Sequence, residues 1–289
     1  MEKLLHWSIA NAQGDKEAIE KAGQPDPKLL QQLFGGGGPD DPTLMKEAIA
    51  VVRNPEAEME SKLIAMDNFE MLIENLDNAN NIENLKLWTP LLETLSDPDE
   101  ELRASVLSVI GTAAQNNLPT QNSFLKQEKG LSRLIKIAGC DSECLNVRCK
   151  ALYALSNLVR NHPELADEFV KLNGLDIIAP ILTDLNVKSK LKTRALSLLT
   201  AYLTAVQISE GLVSTLRKDN VLPSAISSLK LEDDIAILDR VLNFLSHLIS
   251  AGVKFTEQET VELRNNIGRI KIFKDRLNEE DYSTVERAI

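Results

Sequence analysis

One stretch of this chain recurs, and the recurrence limits the fold more than any other feature. Residues Lys150-Ala151-Leu152-Tyr153-Ala154-Leu155-Ser156-Asn157-Leu158-Val159-Arg160-Asn161 carry its clearest form. At its centre an apolar residue is followed by a small one, then a polar or small one, then usually another apolar one. Ile110-Gly111-Thr112-Ala113, Leu155-Ser156-Asn157-Leu158, Leu199-Thr200-Ala201-Tyr202 and Leu245-Ser246-His247-Leu248 are the copies, starting 45, 44 and 46 residues apart. Phe69 to Asn75 reads as a diverged earlier copy, 41 residues before Ile110.

Within each copy the apolar positions fall three and four apart, so each copy predicts a helix with one buried face. The small residues Gly111, Ser156, Thr200 and Ser246 let a neighbouring helix come close. A single repeat cannot cover its own apolar face, whereas stacking covers it. A constant period of this length argues against a plain bundle and for stacked helical repeats of the armadillo or HEAT kind. Composition agrees, since aromatic residues make up only 4% of the chain and alternating strand patterns are rare. The expected fold is all-α: a right-handed, armadillo/HEAT-like superhelix with a flexible N-terminal arm.

Punctuation divides the chain into three parts. Residues 1–38 form the expected arm, with small apolar clusters at Leu4, Leu5, Trp7 and Ile9 and at Leu33 and Phe34. The arm ends in Gly35-Gly36-Gly37-Gly38-Pro39, which breaks any helix. This glycine run lacks the Gly-Lys-Ser/Thr ending of a phosphate loop, so it reads as a linker and not as a nucleotide site. Residues 39–255 are the expected repeat array. Helices are predicted at Pro42–Val52 and Glu58–Leu76, and repeats over Trp88–Asn116, Gly130–Asn161, Gly174–Val206 and Val221–Ile249. Asn116 and Asn161, closing two copies, suit helix C-termini. Residues 256–289 are expected to be polar capping helices that shield the last apolar face.

A net charge of −11 argues against nucleic-acid binding and against docking on anionic membranes. No apolar run reaches transmembrane length, and residues 1–12 lack the apolar core of a secretion signal, which together point to a cytoplasmic protein. Cys140, Cys144 and Cys149 have no neighbouring His and read as reduced thiols. His6, His162 and His247 show no ligand spacing, and no catalytic constellation is brought together by the repeat. The reading is therefore of a non-enzyme with no cofactor and no metal.

Beyond the repeat, several segments together resemble a known family. They are Leu4-Leu5-His6-Trp7-Ser8-Ile9, Leu33-Phe34-Gly35 with Pro39-Asp40-Asp41-Pro42, and Leu44-Met45-Lys46-Glu47-Ala48. Glu74-Asn75-Leu76-Asp77-Asn78-Ala79-Asn80, Ile110 to Asn116 and Ala151 to Asn161 complete the set. With these the chain is similar, essentially end to end, to the Fes/HspBP family of armadillo nucleotide-exchange factors for the seventy-kilodalton heat-shock chaperones, and most to its fungal cytosolic form. The resemblance implies a monomeric co-chaperone whose concave face grips the chaperone's ATPase domain and promotes ADP release. It also implies that the arm, through Leu4, Leu5, Trp7, Ile9, Leu33 and Phe34, competes for the chaperone's peptide site and frees the client.

The same resemblance turns Asn157 toward the concave groove, and helix geometry then selects its companions. Residues four and seven before it share its face, giving Tyr153 and Lys150. The equivalent sets are Ser105, Ser108 and Thr112; Arg194, Ser197 and Ala201; and Arg240, Asn243 and His247. Lys150, Arg194 and Arg240 thus form a file of cations in an acidic chain. Arg194 is the first choice for a partner contact, expected beside Tyr202. Asn78 and Ala79, expected just past a helix end, are the next. A generic armadillo scaffold holding an extended peptide is the alternative; it would want repeated groove Trp and Asn, of which only Asn157 is in register.

Overall fold

The computed structural model describes residues 39–231 and 234–289. The expected arm and glycine linker therefore lie outside the described residues. The described residues fall into two units that divide between Leu44 and Met45. In the first, Asp40 begins a helix by accepting the Thr43 amide N–H at 3.0 Å.

Helix α1 spans Asp41–Arg53, and the described residues beyond it are helices and turns with no strand. Six long helices set the architecture of the larger unit: α2 (Met59–Ile73), α5 (Glu100–Ala114), α8 (Leu145–Val159), α11 (Ser189–Leu203), α14 (Ile235–Ser250) and α16 (Glu279–Ala288). Their first residues are 41, 45, 44, 46 and 44 apart, so the sequence period is the helix period. Each packs against the next along the series.

Between consecutive helices of this series run two further elements, shorter than the helices they join except for Glu257–Ile270, which exceeds the 10-residue α16. The first of each pair is α3 (Leu76–Asn84), α6 (Leu118–Leu125), α9 (Pro163–Lys171), α12 (Glu210–Lys218) or α15 (Glu257–Ile270). The second is α4 (Trp88–Thr94), α7 (Gly130–Gly139), a 3-10 turn at Gly174–Ile177 leading into α10 (Ile178–Thr183), α13 (Val221–Ser227), or a 3-10 turn at Lys271–Arg276. Residues 256–289 thus repeat the three-element order of the array.

Local chemistry fixes these boundaries. Side chains cap the helices: Asn75 accepts from Asp77 N–H, Asp99 from Leu102 N–H, and Ser209 from Leu212 N–H. Thr256 and Glu259 form a reciprocal capping box. Asn116 and Asn161 follow their long helices with φ of 51° and 54°, as expected of left-handed caps. A second left-handed position precedes the second short element of the first four pairs, at Lys86, Lys129, Asn173 and Asn220.

The helix expected over Glu58–Leu76 divides. It stops at Ile73, and Asn75 caps a new helix, because its side chain satisfies an orphan N–H there. Asn78 and Ala79 therefore lie inside α3 and are buried, with Ala79 only 2% exposed. Two of these opening helices, α6 and α9, begin with Pro at their first turns.

One core runs along the array. Leu107, Ile110, Leu152, Leu155, Leu196, Leu199, Leu242 and Leu245 are all fully buried. Truncating any of these leucines to Ala costs about 2–5 kcal/mol. Among the polar stitches that cross joints, the Gln121 amide donates to the carbonyls of Asn157, Leu158 and Arg160 at 2.8, 3.1 and 3.0 Å. These are end-of-helix carbonyls of α8 that lack partners within the helix.

Candidate functional site

The long helices lie side by side, so residues that share a face on each come together across the joints. Glu70 on α2 accepts from Ser108 Oγ at 2.6 Å and from Thr112 Oγ1 at 2.8 Å, both on α5. Lys150 on α8 donates its ammonium to Ser108 at 2.8 Å. A cation and a carboxylate are thus joined through one serine hydroxyl.

Tyr153 is the centre of this face. Its hydroxyl lies 3.4 Å from Thr112 Oγ1 and donates to Gln115 Oε1 at 3.4 Å. Its ring occupies the space over Gly111, where an added Cβ would come within 2.5 Å of Cδ1 and Cε1. Two cations sit over the ring: Lys150 Nζ at 5.8 Å from its centroid, and the Arg194 guanidinium carbon, from α11, at 5.4 Å. Gly111 is thus one of the close-approach positions the repeat pattern singled out, and its neighbour is this ring.

Lys190 belongs to the same cluster. It lies one turn before Arg194, and its charge reaches Cys149 on α8. Burial pushes the Cys149 thiol up, and the charges of Lys190, Arg194 and Arg148 pull against that rise. Among the described residues, neither Lys190 nor Arg194 has an ion pair or a side-chain hydrogen bond, whereas Arg148 is paired with Asp141 at 3.1 Å.

Of the expected site residues, the structure brings Lys150, Tyr153 and Arg194 together. Asn157 shares α8 with Lys150 and Tyr153 but is buried, with its amide nitrogen lacking a partner among the described residues. Arg240 is exposed on α14 and touches none of the others through a described interaction. Asn243 donates to Asp281 on α16 at 3.0 Å and so ties the last repeat down.

Three placements are corrected. Tyr202 does not accompany Arg194; it is buried, 6.2 Å from the Phe169 ring, and burial with the nearby Asp167 charge raises its hydroxyl pKa. Asn78 is not a loop residue; its amide donates to the Leu72 carbonyl at 2.9 Å, closing the end of α2. Ala79 faces the core, so the close approach it allows is by its own chain. Sequence reasoning missed Glu70, Gln115 and Lys190. The first two lie on other copies at positions outside the chosen file, and Lys190 falls one turn ahead of it.

The described residues hold no group of three His, Cys, Asp or Glu able to bind a metal. Cys140 and Cys144 are partly exposed and Cys149 is buried. No helix among the described residues is long and apolar enough to cross a membrane. Chemically, the face can offer hydrogen-bond donors and positive charge beside an aromatic surface, which suits recognition of another macromolecule.

Comparison with known proteins agrees along the whole chain. A family signature described as "Nucleotide exchange factor Fes1" matches residues 1–82, and one described as "SIL1/FES1/HPBP1 C-terminal domain" matches residues 78–244. The chain is 64% identical over 287 residues to the Hsp70 nucleotide exchange factor FES1 of Saccharomyces cerevisiae, covering 99% of both chains. It is 62% identical to the protein of the same name from Candida glabrata, covering 99% of this chain and 98% of that one. Among solved structures, a designed armadillo repeat protein superposes with a TM-score of 0.66 at 13% identity, over 84% of this chain and 98% of that one. That last likeness concerns the fold alone.

Proposed function

We propose a function from one premise: the chain belongs to the SIL1/FES1/HPBP1 family of nucleotide exchange factors. It is a nucleotide exchange factor for a cytoplasmic Hsp70 chaperone. The observation that supports this reading most is identity of 64% carried through 99% of the chain.

The working surface is the long-helix face around Tyr153, Lys150 and Arg194, which docks on the ATPase domain of the chaperone. Arg240 and Asn157 extend it along the array. Exchange needs no covalent chemistry. A partner that binds the open, nucleotide-free domain more tightly than the closed, ADP-bound one must shift it toward opening, and by linkage ADP must weaken the partner's own binding. Residues 1–38 act as a separate arm whose apolar residues enter the chaperone's peptide site and release the client, while residues 39–255 grip and residues 256–289 cap. The protein works as a monomer in the cytoplasm.

Release of a fluorescent ADP analogue from an Hsp70 tests this. The full chain at saturation is expected to accelerate release, and Arg194→Ala to reduce that acceleration without loss of helicity. Unchanged release at saturating protein refutes the reading. A chain lacking residues 1–34 is expected to keep the acceleration and to lose client release; if exchange collapses instead, the arm belongs to the grip.

The alternative of a scaffold for an extended basic peptide fits this face poorly. Lys150, Lys190 and Arg194 would repel such a peptide.

A further inference from the structure

Away from the Tyr153 face, a cation reaches across another joint and meets a hydroxyl where a carboxylate would be expected. Arg133 on α7 donates from Nη2 to the hydroxyl oxygen of Ser96, which lies two residues past the end of α4. Among the described residues Arg133 forms no ion pair. One N–H of its guanidinium meets Ser96, and a guanidinium carries five. A positive fork with donors to spare thus stands beside an exposed serine.

The sequence around that serine is distinctive. It opens the run Ser96-Asp97-Pro98-Asp99-Glu100-Glu101, with acids at the first, third, fourth and fifth positions after it, and no other serine or threonine of the chain has that pattern. Such a run complements a serine kinase with a basic substrate groove, since charge patterns set kinase choice. The segment is also within reach: Ser96, Pro98, Glu100 and Glu101 are exposed. Pro98 disfavours helix at Asp97. The turn is held by the Ser96 N–H to the Glu93 carbonyl at 3.0 Å and the Asp97 N–H to the Thr94 carbonyl at 2.9 Å. Arg103 holds its far side, through the Asp97 and Pro98 carbonyls at 2.7 and 2.9 Å. A surface turn of this kind opens locally at far lower cost than the core.

We infer that Ser96 is a phosphorylation site for an acid-directed serine kinase, and that Arg133 from the next repeat receives the phosphate. In the transfer, Ser96 Oγ bonds to the γ-phosphorus of a nucleoside triphosphate as that phosphorus parts from the β-phosphate oxygen. The hydroxyl proton passes to a carboxylate of the kinase, and the nucleoside diphosphate leaves. The product carries about −1.5 to −2 charges at neutral pH and three strong acceptor oxygens. By itself that charge is unfavourable, because Asp97 and Asp99 are close in the chain and the C-terminal end of α4 is already negative. Arg133 reverses the balance, since its planar fork takes two phosphate oxygens at once. A neutral hydrogen bond across the joint between α4 and α7 becomes a charge-assisted pair, and the joint tightens.

The native full chain, treated with recombinant casein kinase II and γ-labelled ATP, tests the site. Label is expected on Ser96 by peptide mass spectrometry and is expected to be lost in Ser96→Ala. Phosphorylated wild type is expected to unfold at a urea midpoint a few tenths of a molar above the unmodified chain. In Arg133→Gln the same modification is expected to lower the midpoint relative to unmodified Arg133→Gln, because the like charges then stand unopposed. Arg133→Lys keeps the charge without the fork and is expected to fall between the two. In phosphorus NMR titrations the second ionisation of the phosphate is expected at lower pH in wild type than in Arg133→Gln, a difference that a merely structural role for Arg133 would not produce.

The inference is overturned if Ser96 takes no label, or takes it only after urea has unfolded the chain. It is overturned as well if phosphorylation moves the midpoint equally in wild type and Arg133→Gln, or if the phosphate ionises at the same pH in both. None of these measurements depends on the exchange-factor reading, so each can fail without the other.

Discussion

Gly111 on α5 and Tyr153 on α8 share a space that exists because one of them has no side chain. An added Cβ would come within 2.5 Å of two ring carbons and 3.2 Å of the Ala154 Cα. The ring that fills this space carries Lys150 and Arg194 above it, so a packing choice between two helices sets the placement of the cations.

Gly111→Ala therefore sets two effects against each other. Alanine gains about 1 kcal/mol over glycine in a helix interior, and overpacking costs about 1–3 kcal/mol. The clash is expected to win, lowering stability by about 1 kcal/mol in urea unfolding. In a Tyr153→Ala background the ring is gone and the same substitution is expected to become stabilising. A cost that persists there would show that the ring is not the obstacle.

Acid sensitivity should trace to Glu259 on α15. Burial alone would push its carboxyl up. The Arg217 guanidinium, bonded at 2.8 and 2.9 Å, and the Thr256 amide N–H outweigh burial and hold it below the usual carboxylate range. A depressed folded pKa means stability that is present above the unfolded value of about 4.3 and is lost as pH falls through the folded one. Glu259→Gln is expected to be less stable than wild type at neutral pH, with the gap narrowing below about pH 4.3. Urea midpoints measured across that range check it, and a gap independent of pH would contradict the assignment.

Ala79→Arg is expected to behave as a core lesion. At 2% exposure the site has no room for a guanidinium, and a buried unpaired charge costs several kcal/mol. The melting temperature should fall sharply, with any loss of binding following from that. A variant with unchanged stability would place Ala79 on an open surface.

Asn161, with φ of 54°, is expected to tolerate Gly and to reject Val. A branched side chain in this region costs about 1–2 kcal/mol. Urea unfolding should show Asn161→Gly within a few tenths of a kcal/mol of wild type, and Asn161→Val well below it.

The long helices were legible because their period is written in their own residues. Each copy states its apolar face and its small contact residue, and Asn116 and Asn161 mark two of the ends. The meeting of Lys150 and Tyr153 with Arg194 follows from the same alignment of positions on successive copies, whereas Arg240, the third cation of the expected file, meets none of them through a described interaction. What a residue meets across a joint is another matter. Tyr202 and Ala79 are buried by elements whose positions their own sequence does not state. Asn78 looks like a surface polar group until Leu72 is seen to need its amide. Lys190 and Glu70 escaped notice because their roles come from neighbours about 40 residues away in the chain.

The Gln121 amide, reaching three carbonyls at the end of α8, carries a mechanical consequence. Joints made only of leucine and alanine surfaces can slide, because one apolar contact replaces another at little cost. A side chain that must find three oxygens at once has a single register, and a slip of one helical turn would break all of them together. That joint holds one register, as do those tied by Glu70 to Ser108 and by Asn243 to Asp281, so bending on grasping a partner falls to the purely apolar contacts between them.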